Sequence, residues 1–166
     1  MDTGKPSRRR FITAATTVGA GVALAGCSDG DDGEQSPSGN YSAAEQRVAD
    51  YLTTDDETGN FDGSFVDETG ADEVVVAVGA SGNGGNYAYA PPAVTVSTGT
   101  TVSWEWTGEG GSHNVVSADG SDFEFASGNP QEQREPFTRT FDGSGVAFYY
   151  CSPHRTLGMK GGIVVE

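Results

Sequence analysis

The sequence predicts an all-β fold, a Greek-key antiparallel β-sandwich, preceded by a short helix and a disordered tether. Three observations lead there. From residue 73 onward, short runs rich in valine and aromatic residues are separated by clusters of Gly, Asp, Asn and Ser. Several of these runs alternate apolar with polar residues, the period of a strand that buries one face. No long stretch of helical spacing interrupts them, and short strands punctuated in this way build sandwiches. At 166 residues the chain has room for one such domain.

Residues 1–26 form an export leader. Ser7-Arg8-Arg9-Arg10-Phe11-Ile12 is a twin-arginine pattern, followed by an apolar, small-residue stretch from Phe11 to Gly26. That stretch is shorter than the roughly 20 residues a membrane-spanning helix needs and has the layout of a signal peptide. It ends in Leu24-Ala25-Gly26-Cys27, which resembles a lipobox, so Cys27 is expected to become the lipidated first residue. The expected location is the extracytoplasmic face of the cell membrane, reached by twin-arginine export and held by a lipid anchor. Residues 27–40 are mostly Gly, Ser, Asp and Pro, the composition of a solvated, flexible acidic tether.

Residues 41–72 read as a lead-in. Ser42-Ala43-Ala44-Glu45 has the form of a capping box, and Ala44, Val48, Tyr51 and Leu52 recur at helical spacing, which predicts a helix from about 42 to 53. Residues 54–72 are acidic and Gly-rich, with Phe61 and Phe65 as candidate anchors. The β domain occupies 73–166. Val74, Val75, Val76 and Val78 form a β-branched run, and Val94 and Val96 alternate with Thr95 and Ser97. Val102, Trp104 and Trp106 then face one way, and Thr101, Ser103, Glu105 and Thr107 the other. Further strands are expected at 113–117, 136–141, 145–151 and 161–166. The segment 118–135 is expected to be a loop with a turn of helix.

The charge excludes some functions. The chain holds 9 basic and 24 acidic residues, a net charge of −15. Residues 1–26 contain four of the basic residues and one of the acidic ones, leaving 5 against 23 in the remainder. Such a field repels nucleic acid and anionic surfaces. It also opposes compaction in dilute salt, as in a chain built for concentrated salt.

Two cysteines, two histidines and two methionines are present. If Cys27 carries a lipid, Cys151 has no disulfide partner, and metal ligation is one reason for its presence; the alternative is a Cys27–Cys151 bridge tying the tether to a late strand. Cys151 leaves the end of one predicted strand, His154 follows three residues later, and Met159 five after that. A loop of this length can aim all three side chains at one spot. His113 opens another predicted strand after the Gly-rich turn Gly108 to Ser112. A thiolate, two imidazoles and a distant thioether describe a mononuclear type I (blue) copper site that serves electron transfer. Zinc could occupy the same cysteine and histidines, but methionine is absent from the usual zinc sets.

The loop Cys151-Ser152-Pro153-His154 with Gly158-Met159-Lys160-Gly161 resembles that of the plastocyanins, and His113-Asn114-Val115-Val116 is similar to their upstream histidine strand. With the acidic composition, the leader and the stretch Gly82-Asn83-Gly84-Gly85-Asn86-Tyr87-Ala88-Tyr89, the chain resembles the halocyanins, plastocyanin-like blue copper proteins of the cupredoxin family. The resemblance covers roughly residues 60–166. It implies one copper ion held by His113 Nδ1, Cys151 Sγ, His154 Nδ1 and, weakly, Met159 Sδ. It further implies that the Asn114 backbone N–H donates to the cysteine sulfur, which tunes the site. The position before the first histidine, often proline in plastocyanins, is Ser112, whose carbonyl would lie near the metal. Around the exposed edge of His154 the resemblance places a partner-facing apolar patch, for which Pro153, Leu157, Tyr87 and Pro91 are candidates.

The implied function is a one-electron carrier cycling Cu(I)/Cu(II), and not an enzyme. It would be a monomer that meets the redox proteins of a membrane respiratory chain transiently. With two histidines the chain cannot supply the further copper centres of copper nitrite reductases or multicopper oxidases. A copper storage or delivery protein is the alternative, but Met1 and Met159 form no soft-ligand cluster. A third reading is a β-sandwich binding module in which Cys, His and Met only pack.

Overall fold

The computed structural model describes residues 41–166; the expectations for the leader, the tether and Cys27 lie outside the described residues. The helix α1 (Ala43–Thr53) is followed by nine strands: β1 (Val66–Glu68), β2 (Glu73–Gly82), β3 (Gly85–Ala90), β4 (Ala93–Val96), β5 (Thr101–Trp106), β6 (Val116–Ser117), β7 (Phe137–Thr140), β8 (Gly145–Tyr150) and β9 (Lys160–Val165). They form two sheets, one in the order β1-β4-β9-β8-β6 and the other β3-β2-β5-β7. The sandwich with its short helix is the architecture the sequence predicts.

The core between the sheets gathers Val76, Val78, Tyr89, Val94, Trp104, Phe141, Tyr149 and Ile163. A second apolar cluster lies on the other face of the β9 sheet. There Val48 and Leu52 of α1 meet Ala93, Val146, Phe148 and Val164. This explains why β4 and β9 are buried at every position rather than alternately, since both of their faces are covered. Burying Val48 and Leu52 stabilises the helix by about 1.5–3 kcal/mol each. Gly162 permits the contact, because a Cβ there would run into the Val48 side chain. The helix start is the reciprocal box between Ser42 and Glu45.

Pairing differs in part from the antiparallel expectation. β1/β4, β4/β9 and β2/β5 run parallel, the last over six residues from Glu73–Thr101 to Val78–Trp106. Connections that cross between the sheets bring back strands in the same direction, and no local pattern records that. Strands β1 and β3 appear where no strand was assigned. The β2–β3 loop is Asn83-Gly84, both at positive φ (55° and 79°), the conformation of a tight hairpin turn.

The segment 118–135 has no helical turn, contrary to expectation. It folds back on the 113–118 backbone instead: His113 bridges Gln131, Val116 bridges Ala126, and Ser127 N–H donates to Val115 at 2.8 Å. The ladder with β8 covers only Val116 and Ser117, so the expected strand at 113–117 is the two residues of β6, and His113 and Val115 pair instead with 127–131. The helical turn falls at Ser152–Leu157, a 3-10 segment inside the loop between β8 and β9.

Candidate metal centre

Two elements bring the donors together. β8 ends at Tyr150, and Cys151 caps the 3-10 segment that carries His154; Gly158, at φ 85°, then turns the chain so that Met159 precedes β9. The loop is closed by its own backbone. Cys151 N–H donates to Met159 at 3.0 Å, Met159 N–H to His154 at 3.2 Å, and His154 N–H to Cys151 at 3.1 Å. On the facing side, the bridge to Gln131 and the Trp106 indole N–H, which donates to the His113 carbonyl at 3.1 Å, fix the backbone of His113.

The result is a tight cluster. Cys151 Sγ lies 3.6 Å from His113 Nδ1 and 3.5 Å from His154 Nδ1, and the two Nδ1 atoms are 3.1 Å apart. Among the described residues Cys151 has no disulfide partner; it, His113 and Met159 are fully buried, while His154 is partly exposed. Met159 belongs to the same core cluster as Cys151.

The protonation pattern follows from the surroundings. His113 Nε2 lies 2.9 Å from the Glu109 carbonyl, an acceptor only, so Nε2 carries the proton and Nδ1 presents its lone pair to the cluster. Burial holds both histidines below the ordinary imidazole range, with mutual repulsion adding to the effect at His154. Burial also pushes the Cys151 thiol up, opposed by the backbone N–H groups of Asn114 and His154, which favour the thiolate. Binding a cation therefore requires loss of the thiol proton but finds imidazoles already neutral.

Space around His113 depends on glycine. Gly79 sits at φ 85° beside the register shift between Val78 and Ala80, and a Cβ there would stand 3.2 Å from His113 Nε2 and 2.8 Å from Thr107 Oγ1. A Cβ at Gly110 would come 2.9 Å from the same nitrogen. The bulge and the Gly-rich turn pack directly against the outer nitrogen of His113 and leave no room there for a side chain.

Asn114 does more than its backbone role. Its side chain accepts from Ser152 N–H at 2.8 Å, and its amide donates to Ser152 Oγ at 3.2 Å and to Gly128 at 3.1 Å, tying the two ligand-bearing loops. Ser112 is exposed in the turn before His113. The Tyr87 ring lies 4.6 Å from that of His154 and 6.5 Å from that of His113. Pro153 and Leu157 are exposed on the loop, and Pro91 is half-buried in the β3–β4 connection. Sequence reasoning missed the Glu109 carbonyl, Asn83 and Lys160. Only Asn83 left a local signal, because Asn-Gly between apolar runs marks a hairpin turn.

The donor chemistry fits copper: one soft thiolate and two imidazoles within 4.8 Å of one another, with a buried methionine adjoining. Residues 75–166 match the family of copper-binding proteins described as the plastocyanin/azurin family. The chain is 47% identical to a halocyanin of Natronomonas pharaonis over 161 residues, 96% of this chain and 98% of that one. It is 33% identical to a plastocyanin of Scenedesmus fuscus over 104 residues, 57% of this chain and all of that one. Among solved structures, a pseudoazurin of Methylobacterium extorquens AM1 is similar, with a TM-score of 0.48 and 30% identity over 57% of this chain and 75% of that one.

Proposed function

Since the chain belongs to the plastocyanin/azurin family of copper-binding proteins, with copper as its cofactor, we propose that it is a one-electron carrier at the outer face of the cell membrane, its copper held by His113, Cys151, His154 and Met159. The observation that carries this reading is the convergence of His113 Nδ1, Cys151 Sγ and His154 Nδ1 at 3.1–3.6 Å in a site buried except at His154.

When bound, copper supplies reversible one-electron exchange between Cu(I) and Cu(II). The residues do the rest. A soft thiolate and borderline imidazoles suit both valences, so the donor set need not rearrange between them. The fully buried His113, Cys151 and Met159 keep solvent from most of the donors. His154, partly exposed beside Pro153 and Leu157, offers the short route to a partner. Leu157, 47% exposed, stands with Pro153 beside His154 and gives that edge of the loop an apolar surface suited to a brief, dry contact. The partners in this reading are redox proteins of a membrane respiratory chain, met transiently by a monomer.

A carrier fits better than an enzyme or a storage protein. The chain's two histidines are both in this cluster, and Met159 is its only methionine besides Met1, which leaves no imidazole for a second copper centre and no further thioether among the described residues. Membrane attachment in this reading rests on Cys27. No helix among the described residues is long and apolar enough to cross a bilayer.

The deciding experiment is the optical spectrum of the copper-loaded protein. The wild type should be intensely blue through thiolate-to-metal charge transfer, and Cys151→Ser should be folded but colourless. A blue Cys151→Ser protein would sink the reading. For the location, gentle membrane fractionation should find wild type with the membrane and Cys27→Ser in the medium; equal retention would remove the lipid anchor.

A further inference from the structure

Three features fasten the stretch Tyr51–Gly59 to the loop between β8 and β9. Lys160, next to Met159, is buried, and its ammonium donates to the carbonyls of Tyr51 at 2.9 Å, Thr54 at 2.9 Å and Asp55 at 2.6 Å. These acceptors lie at and just beyond the C-terminal end of α1, where carbonyls lack helical partners and the helix dipole favours a cation. On the other side of Met159, the Gly158 carbonyl accepts from the Asn83 side-chain amide at 3.0 Å. The same Asn83 side chain accepts from Gly59 N–H at 2.6 Å and donates to the Tyr87 carbonyl at 2.6 Å. Gly158 itself packs so closely on the Glu57 carbonyl that a Cβ there would collide with it.

The lead-in thus grips the residues on both sides of Met159 and makes no polar contact with the other three donors. We propose that Tyr51–Gly59 is a strap that sets the position of Met159 at the copper site, with Lys160 and Asn83 as its positioning residues. A thioether is the weakest of the four donors, so its distance from the metal is decided by the protein around it and not by the strength of its own bond. A strap outside the sandwich is a means of imposing that distance. The inference rests on the copper-carrier reading and names what tunes it.

The test compares the copper-loaded mature protein with Lys160→Met and Asn83→Gly, glycine being chosen because Asn83 lies at φ 55°. With the grip released, the loop relaxes away from the site and the sulfur donor weakens, which destabilises Cu(II) more than Cu(I). Both variants should show a raised reduction potential in voltammetry and an altered visible spectrum. In copper-free protein, the amides of Cys151 and Met159 should exchange faster with solvent.

The sign is diagnostic. Removing the Lys160 charge would by itself favour Cu(II) and lower the potential, and loosening Tyr87 would admit water at His154 and do the same. A rise therefore reports the strap. Variants that lose thermal stability but keep the wild-type potential and spectrum would overturn the inference, leaving Lys160 as a helix cap only. A lowered potential in Asn83→Gly would overturn it too, and that variant decides alone if Lys160→Met does not fold. A copper-loaded wild type without blue colour would instead bring down the carrier reading, and this inference with it.

Discussion

Tyr87 and His154, 67 positions apart in the sequence, are in ring contact, with centroids 4.6 Å apart and planes tilted by 36°. The tyrosine comes from β3 and the histidine from the 3-10 segment, so the contact closes one side of the metal centre with an apolar ring. Replacing the ring by a methyl group opens His154, and with it the cluster, to water. Tyr87→Ala should lose copper to a strong chelator several-fold faster than wild type, while Tyr87→Phe, which keeps the ring, should behave as wild type. Equal rates for Tyr87→Ala and wild type in stopped-flow chelation would show that the ring does not shield the site.

Met159→Leu should keep the fold and the copper but raise the reduction potential. The swap is close to volume-conserving in a buried position and should cost less than about 1.5 kcal/mol. Loss of the sulfur donor destabilises Cu(II) more than Cu(I). A potential identical to wild type would mean that Met159 does not act on the metal.

Asp122 joins α1 to β8: its carboxylate accepts from Arg47 at 3.0 Å and from Val146 N–H at 2.8 Å. Those bonds hold the carboxyl below its ordinary range, the Val146 bond contributing most. A depressed carboxylate stabilises the fold at pH values above its unfolded range, near 3.9, and the contribution vanishes as pH falls through the lower folded value. Asp122→Asn should therefore cost stability at pH 7, within about 0–1 kcal/mol for so exposed a pair. The difference from wild type should shrink below pH 4. Denaturant titrations giving the same difference at pH 7 and pH 3 would refute the linkage.

Stability should rise with salt. Arg47–Asp122 is the one ion pair among the described residues, and beyond residue 26 the chain sets 23 acidic residues against 5 basic ones. Most carboxylates therefore repel one another without compensation. The Debye length falls from about 8 Å at 0.15 M to about 3 Å at 1 M, so screening should be nearly complete by about 1 M KCl. Any further gain must come from ion hydration or strengthened apolar burial. The measurement is the thermal midpoint of copper-free residues 41–166 across a KCl series, since bound metal would add its own stabilisation. A midpoint flat from low to molar KCl would remove the salt-adapted reading of the surface.

The sequence by itself determined what depends on neighbours along the chain. Alternation at Val102, Trp104 and Trp106 marked β5 because side chains in a strand point to opposite faces every second residue. Ser42 and Glu45 marked the start of α1 because a cap is a contact between residues three apart. Cys151, His154 and Met159 were legible as one donor set because a single short loop carries all three. Tertiary structure alone decided what joins distant segments. The parallel pairing of β2 with β5, the burial of β9 on both faces and the bridges from 113–116 to 126–131 are contacts between chain segments whose local patterns are unaltered by them. The hold of Glu109 on His113 is made by a backbone carbonyl, a group every residue possesses, so no side chain could announce it. Nothing beside Lys160 in the sequence announces its burial. It is buried because the end of α1, some hundred residues earlier in the chain, leaves three carbonyls where an ammonium can satisfy them.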